Sequence, residues 1–225
     1  MRALVLFTGT GSVDRALERA GFQVDSLDID PKCKPTWCCN IMDWDDWRRF
    51  DVGEYDFVWA SPPCQQYSIA RTTAKTPRDL EGSDRIVQRT LEIIRHIRPK
   101  GWLMENPASG YLKTREPVQG LPWRDVCYCM YSDGEKHTYR KQTRLWGHLP
   151  TFEPRNICTK KSPCPWSKDT GKHPTTAQRF TVKGMIKPCS FTLNQLYSMP
   201  EALCDDIAGA TVKLMSDPSM WVQYT

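Results

Sequence analysis

Three groups of residues have types and spacing that could do chemistry. The first is Ser61-Pro62-Pro63-Cys64-Gln65-Gln66-Tyr67-Ser68, directly after the apolar run Tyr55 to Ala60. Two prolines stiffen the backbone there and present one thiol. A thiol so mounted suits nucleophilic attack if nearby positive charge lowers its pKa; an inert buried cysteine would need no such mount. The second is Met104-Glu105-Asn106-Pro107. A glutamate at a strand end inside a cleft is a general acid if burial raises its pKa, the alternative being a surface carboxylate before a turn. The third is Leu6-Phe7-Thr8-Gly9-Thr10-Gly11-Ser12, with Asp28 following in Leu27-Asp28-Ile29-Asp30. Glycines between a strand and a helix let a nucleotide-like ligand approach the backbone, and helix-start amides favour its anionic end. A carboxylate about 20 residues further on can hold ribose hydroxyls, or it can simply cap a turn.

Strands and helices must position these groups, and the first half of the chain alternates between them. Ala3 to Phe7 reads as a strand, Val13 to Ala20 as a helix with Ser12 at its N-cap, and Val24 to Ile29 as a second strand. Tyr55 to Ala60 is a third strand. Arg85 to Ile97 is a helix by its apolar spacing, and Trp102 to Met104 is the next strand. Such alternation implies an α/β fold with a mostly parallel sheet flanked by helices. Ligands in these sheets sit beyond the carboxyl ends of the strands, where all three groups fall. Helical pattern returns from Phe191 to Met215, with Pro200 at a helix start.

Composition narrows the class. The chain has 225 residues, 40% hydrophobic and 25% charged, as in a soluble globular protein. No apolar run is long enough to span a bilayer, and Met1 to Phe7 is too short for a signal peptide, so an intracellular protein that binds no membrane is expected. The 10 cysteines therefore read as free thiols, a catalytic group and a candidate metal site rather than a disulfide framework. Net charge is +5, with the basic residues gathered between Lys136 and Lys187, as a phosphate-contacting surface requires; a solvated basic face is the alternative.

The order of glycine turn, strand-end acid, Pro-Cys-Gln-x-x-Ser and Glu-Asn-Pro resembles the DNA cytosine-5 methyltransferase family, most of all the short enzymes of phages and large viruses. Gln142-Thr143-Arg144 is similar to that family's Gln-x-Arg motif, and the likeness runs from Leu4 to Trp146. It implies a Rossmann-like class I fold, S-adenosylmethionine as cofactor and DNA as substrate, a duplex with one cytosine flipped out, acted on by a monomer. Catalytic roles fall to Cys64 at carbon 6 of the base, Glu105 at ring nitrogen 3, and Arg144 at the base carbonyl or Glu105. The cofactor would meet Phe7, Thr8, Gly9, Thr10, Gly11, Ser12, Asp28, Ile29, Asn40, Ile41 and Pro62. Nucleic acid would meet Gln65, Ser68, Arg71, Lys75, Gln142, Lys160 and Lys161. Val5 stands where the family carries an acid, and Asn40 where it carries the aspartate of an Asp-Ile pair.

The resemblance also divides the chain: a catalytic and cofactor-binding domain over 1–147, a small target-recognition lobe over 148–190, and a helical segment over 191–225 returning to the first. The lobe's irregular pattern and small size imply a short or loosely read target. Its Cys158, Cys164, His173 and Cys189 can build a tetrahedral zinc site, with free cysteines as the alternative. Three other functions are compatible with parts of the pattern: cytosine-5 methylation of RNA, methylation of an exocyclic amino group, and a binding module without catalysis. Amino-group chemistry gives Glu105 no role, and retention of Cys64 and Glu105 speaks against the binding module.

Overall fold

The computed structural model describes residues 1–69, 71, 74–175 and 192–224. Its strands are β1 (Arg2–Leu6), β2 (Gln23–Asp28), β3 (Trp37–Cys38), β4 (Phe57–Ala60), β5 (Gly101–Pro107), β6 (Trp123–Cys127) and β7 (Gln142–His148). They form one seven-stranded sheet in the order β3-β2-β1-β4-β5-β7-β6. The first five run parallel, and β7 lies antiparallel between β5 and β6. This is the expected Rossmann-like α/β architecture with an antiparallel edge.

Helices α1 (Ser12–Arg19), α2 (Leu80–Ile97), α3 (Leu193–Tyr197) and α4 (Glu201–Met215) complete the frame. Val13, Ala16 and Leu17 of α1 pack with Leu203, Ile207 and Leu214 of α4 on one sheet face, against Val5, Trp59, Leu103 and Leu145. On the other face Val87, Leu91, Ile94 and Ile97 of α2 meet Leu4, Val58, Met104 and Trp146. Trp44, Trp47 and Trp59 are buried and Trp37 partly so, as core side chains rather than exposed stacking groups. Alternation along each buried strand thus feeds two cores through one sheet.

Several boundaries differ from the sequence expectation for identifiable reasons. Gly11, at φ 66°, takes the cap position before α1, and Ser12 opens the helix instead of capping it. Helix α2 starts five residues before Arg85, because Asp79 accepts from the Gly82 amide at 2.7 Å and offsets a glycine in the first turn. Strand β5 runs on through Glu105, Asn106 and Pro107, since β7 pairs with it as far as Pro107↔Thr143. The C-terminal helix is broken at Ser198 to Pro200, with α3 held by a capping box between Thr192 and Gln195. Pro200 stands at the cap of α4, near the start expected for it. Between Thr151 and Thr175 there is no helix or strand, so that segment brings little core of its own.

Candidate active site

The carboxyl ends of β1, β4 and β5 open into one cavity of about 2050 Å³. Typical small-ligand pockets hold roughly 300–1,000 Å³, so there is room for a nucleotide-sized cofactor and a second group beside it. Phe7 to Ser12, Asp28, Ile29, Pro62, Cys64, Gln65, Ser68, Glu105, Gln142 and Arg144 all line it.

The mount of Cys64 follows from its neighbours. The Ser61 amide donates to the Leu6 carbonyl at 3.1 Å, extending the β1–β4 ladder past the strand end. Asn106, fully buried, donates from Nδ2 to the Pro62 carbonyl at 2.8 Å and so joins the cysteine motif to the glutamate motif. Beyond the thiol, the Tyr67 and Ser68 amides both donate to the Cys64 carbonyl, at 3.1 and 3.0 Å. Tyr67 is buried, and its hydroxyl donates to Asp84 at 2.8 Å, which Arg115 pairs at 2.5 Å. The thiol therefore rides on a turn anchored to both neighbouring strands and to α2. It is free and half-buried.

Electrostatics at the floor run opposite to the simplest expectation. Burial and the Glu105 charge push the Cys64 thiol above its usual pKa, and Lys141 only partly opposes them. Burial likewise raises the Glu105 carboxyl, against the pull of Lys141 and the Thr143 hydroxyl. A raised glutamate suits proton donation. A raised cysteine means that in the free protein the thiol is held protonated at neutral pH. Lys141 is the cation felt by both groups; its Nζ sits 4.4 Å from the Tyr128 ring and donates to the Leu196 carbonyl at 3.3 Å.

Arg144 does not reach Glu105. It makes a two-pronged pair with Asp125 at 2.7 and 3.0 Å and lies 3.5 Å over the Trp123 ring. The register explains this: Glu105 pairs with Leu145 and Arg144 with Asn106, so Glu105 and Arg144 leave the sheet on opposite faces. Gln142 joins the same group, donating to Asp125 at 3.1 Å. The Gln-x-Arg motif and Asp125 thus form one wall of the cavity.

At the glycine turn, Phe7, Gly9 and Gly11 all have positive φ, at 64°, 53° and 66°, and the two glycines leave bare backbone on the cavity. Asp28 accepts from the Gly9 and Asp30 amides, both at 2.9 Å, so it orders the turn from the cavity's edge. Ile29 is 68% exposed at the rim, an apolar surface facing the cavity. Sequence reasoning missed Asp14 on α1. Its Oδ2 takes a hydrogen bond from the Thr8 hydroxyl, while its Oδ1 is buried with no partner, and burial raises its pKa. Only its position one turn of helix beyond the glycines could have signalled it.

Other expected residues lie elsewhere. Asn40 is exposed and accepts from the Met42 amide at 3.0 Å, and Ile41 is buried in the α2-side core; neither lines the cavity. Arg71 is tied to Thr76 by bonds of 2.9 and 2.7 Å, and Lys75, Lys160 and Lys161 are exposed away from the cavity wall. Lys32, Lys113, Lys136, Arg140 and Lys172 line the rim in their place. Of the four metal candidates, Cys158, Cys164 and His173 converge, with Cys129 as their fourth member, whereas Cys189 lies outside the described residues.

A mostly parallel sheet with a glycine turn after β1, a thiol beyond β4 and a carboxyl near the end of β5 is a Rossmann-like arrangement with its polar groups gathered at the carboxyl ends of the strands. Comparison with known proteins narrows this. Residues 1–116 match the family model for C-5 cytosine-specific DNA methylase. A probable DNA (cytosine-5)-methyltransferase of Frog virus 3 is 35% identical over 176 residues, covering 73% of this chain and 78% of that protein. Type II methyltransferase M1.HphI of Haemophilus parahaemolyticus is 31% identical over 121 residues, covering 46% of this chain but only 31% of its own length. Among solved structures, the Entamoeba histolytica methyltransferase EhMeth aligns over 96% of both chains at 12% identity and a TM-score of 0.49. The chain belongs to the C-5 cytosine-specific DNA methylase family, and its reaction is methylation of cytosine in DNA at carbon 5. Among the described residues no helix is long and apolar enough to cross a membrane.

Proposed function

We propose that Cys64 adds to carbon 6 of a cytosine turned out of duplex DNA while Glu105 donates a proton to ring nitrogen 3, the chain acting as a monomer. The observation that carries this is the pair itself: one thiol and one carboxyl, each with a raised pKa, on the floor of one cavity. Cytosine is a poor carbon nucleophile. Forming the sulfur–carbon 6 bond pushes electron density into the ring, and the proton from Glu105 offsets the charge that builds on nitrogen 3. Carbon 5 is then electron-rich enough to take a methyl group. Loss of the carbon 5 proton and departure of the Cys64 thiolate restore the aromatic ring. A base within a stacked duplex cannot reach the floor of this cavity, which is why it must be turned out.

S-adenosylmethionine, when bound, supplies the electrophilic methyl group. The residues present fit it. The bare backbone at Gly9 and Gly11 leaves space for a nucleoside, and Asp28 stands beside that turn, with lone pairs to spare for hydroxyls. The unpartnered Asp14 Oδ1 calls for a donor, and Asp14 would hold the ammonium of the cofactor's methionine end. Asp14 thereby takes the role left open by Val5, which is buried and apolar. Asp14→Asn is expected to weaken S-adenosylmethionine at least tenfold by calorimetry, because a charge-assisted contact is replaced by a neutral one. Unchanged affinity would remove Asp14 from the cofactor site.

The remaining polar groups set geometry. Lys141 supplies positive charge near both reacting groups, and Arg144, held by Asp125, shapes the wall. The chain then divides into a catalytic domain over 1–147, a recognition lobe over 148–190 and a helical segment over 191–225 that returns to the first, a return supported by the packing of α4 on α1 and the sheet. The test is transfer of labelled methyl from S-adenosylmethionine to unmethylated duplex DNA, with the product base identified by mass spectrometry. Label in 5-methylcytosine is expected. Label in N4-methylcytosine, or only in RNA, would overturn the reading.

A further inference from the structure

Three cysteines and a histidine from distant parts of the chain meet at one point outside the reaction centre. Cys129 follows β6, Cys158 and Cys164 sit in the segment without regular structure, and His173 lies at that segment's far end on the cavity rim. Their donor atoms all lie within 4.8 Å of one another. The three cysteines are free and at most 2% exposed. His173 directs Nε2 between two sulfurs, 3.3 Å from Cys164 and 3.5 Å from Cys158. Tetrahedral zinc with ligands at about 2.0–2.3 Å would place sulfur and nitrogen about 3.5 Å apart, so the cluster already has nearly the spacing the ion imposes.

We propose that Cys129, Cys158, Cys164 and His173 hold a structural zinc ion that fastens the segment 151–175 to the end of β6. The donor set favours zinc: three soft thiolates with one imidazole suit closed tetrahedral coordination, and among the described residues no carboxylate joins them. Supporting groups stand around the sulfurs. The Cys164 amide donates to Cys158 Sγ at 3.3 Å, and the Ser167 hydroxyl lies 3.3 Å from Cys164 Sγ and 3.8 Å from Cys158 Sγ. Such hydrogen bonds orient ligands and spread thiolate charge. Cys127 Sγ, 3.4 Å from Cys129 Sγ, lies outside the set of four.

The architecture explains why a metal is needed there. The segment contributes Phe152 to the main core but otherwise packs chiefly through these cysteines, with Ile157 and Trp166 beside them. A stretch with so little apolar burial does not repay its own ordering entropy, and a metal crosslink does. The link also reaches function. β6 pairs with β7, which carries the Gln142 and Arg144 wall, and Arg140 beside it donates to the Cys158 carbonyl at 3.2 Å. Zinc would therefore fix the segment against the wall where DNA enters, a consequence that rests on the proposed function while the site itself does not.

The experiment is metal analysis of the full chain produced with zinc in the medium, beside Cys164→Ser, His173→Ala, Cys129→Ser, Cys189→Ser and Cys38→Ser. One equivalent is expected in the native protein, Cys189→Ser and the exposed control Cys38→Ser, and less than a tenth in the other three. Two further readouts do not depend on the variants folding. Cobalt substituted into the native protein should show the intense visible bands of tetrahedral coordination with thiolate charge transfer. A zinc chelator should speed tryptic cleavage at Lys160 and Lys161 at least tenfold. Native protein with less than a tenth of an equivalent, or zinc lost in Cys189→Ser but kept in Cys129→Ser, would overturn the proposal. Neither readout measures methylation, so failure of the zinc site and failure of the DNA reading are separable.

Discussion

Cys64→Ala is expected to reduce methyl transfer on the order of 10⁴-fold or more, equivalent to about 5.5 kcal/mol of transition-state stabilisation, while binding S-adenosylmethionine as the native protein does. Without the sulfur there is no addition at carbon 6, and carbon 5 stays too electron-poor to be methylated. The fold should be little affected, because the turn at Cys64 is held by its carbonyl and by Tyr67, Asn106 and Ser61, not by the thiol. The measurement is single-turnover transfer of labelled methyl beside calorimetry of the cofactor. A variant retaining more than a hundredth of native activity would place the nucleophile elsewhere.

Glu105→Gln separates two effects that act in opposite directions. Methyl transfer is expected to fall about 10²- to 10⁴-fold, because the glutamine amide can hydrogen-bond nitrogen 3 but is too weak an acid to protonate it. The Glu105 charge is one of the causes holding the Cys64 pKa up, so its removal lowers that pKa. Above the pH at which Glu105 titrates, alkylation of Cys64 by iodoacetamide should therefore be faster in the variant than in the native protein. The pH dependence follows with its sign. The reactive form needs Glu105 protonated and Cys64 ionised, so native kcat/KM rises with pH, flattens once Glu105 begins to ionise, and falls above the Cys64 pKa. In Glu105→Gln the carboxyl no longer limits, and the profile should keep rising through the range where the native one is flat. A variant slower in both transfer and alkylation would show that Glu105 serves only to hold the fold.

The same coupling suggests how the site is kept quiet until substrate arrives. With both pKa values raised, free enzyme holds an unreactive thiol. A base that draws the Glu105 proton toward nitrogen 3 needs the acid form, which is also the form that ceases to repel a thiolate.

Much of this was legible in the sequence because the informative residues are local. Pro62 and Pro63 fix the chain next to Cys64, the glycines mark the turn after β1, and apolar runs mark β1, β4 and β5; all need only neighbours to be read. What could not be read depends on pairing across long separations. In β6 only Val126 and Cys127 are buried, so it has no strong period of its own. Its existence, and that of β7, decides which way Arg144 points, and therefore that it pairs with Asp125 and not Glu105. Cys129 escaped for the same reason, being separated from Cys158 by the whole of β7. Asp14 gives no sequence signal beyond being a polar position on an amphipathic helix; only the fold sets it against Thr8.

The central claim is that Cys64 bonds to the base, and trapping the bond tests it most directly. Duplex DNA in which 5-fluorocytosine replaces cytosine is incubated with the protein and S-adenosylmethionine, and the digested product is sequenced by mass spectrometry. Fluorine cannot leave carbon 5 as a proton does, so the final elimination stops with sulfur still attached. The account predicts a peptide carrying a methylated fluorocytosine adduct on Cys64, dependent on the cofactor and absent from Cys64→Ala. Methylation of ordinary DNA with an adduct on another cysteine, or with none on any, would contradict it.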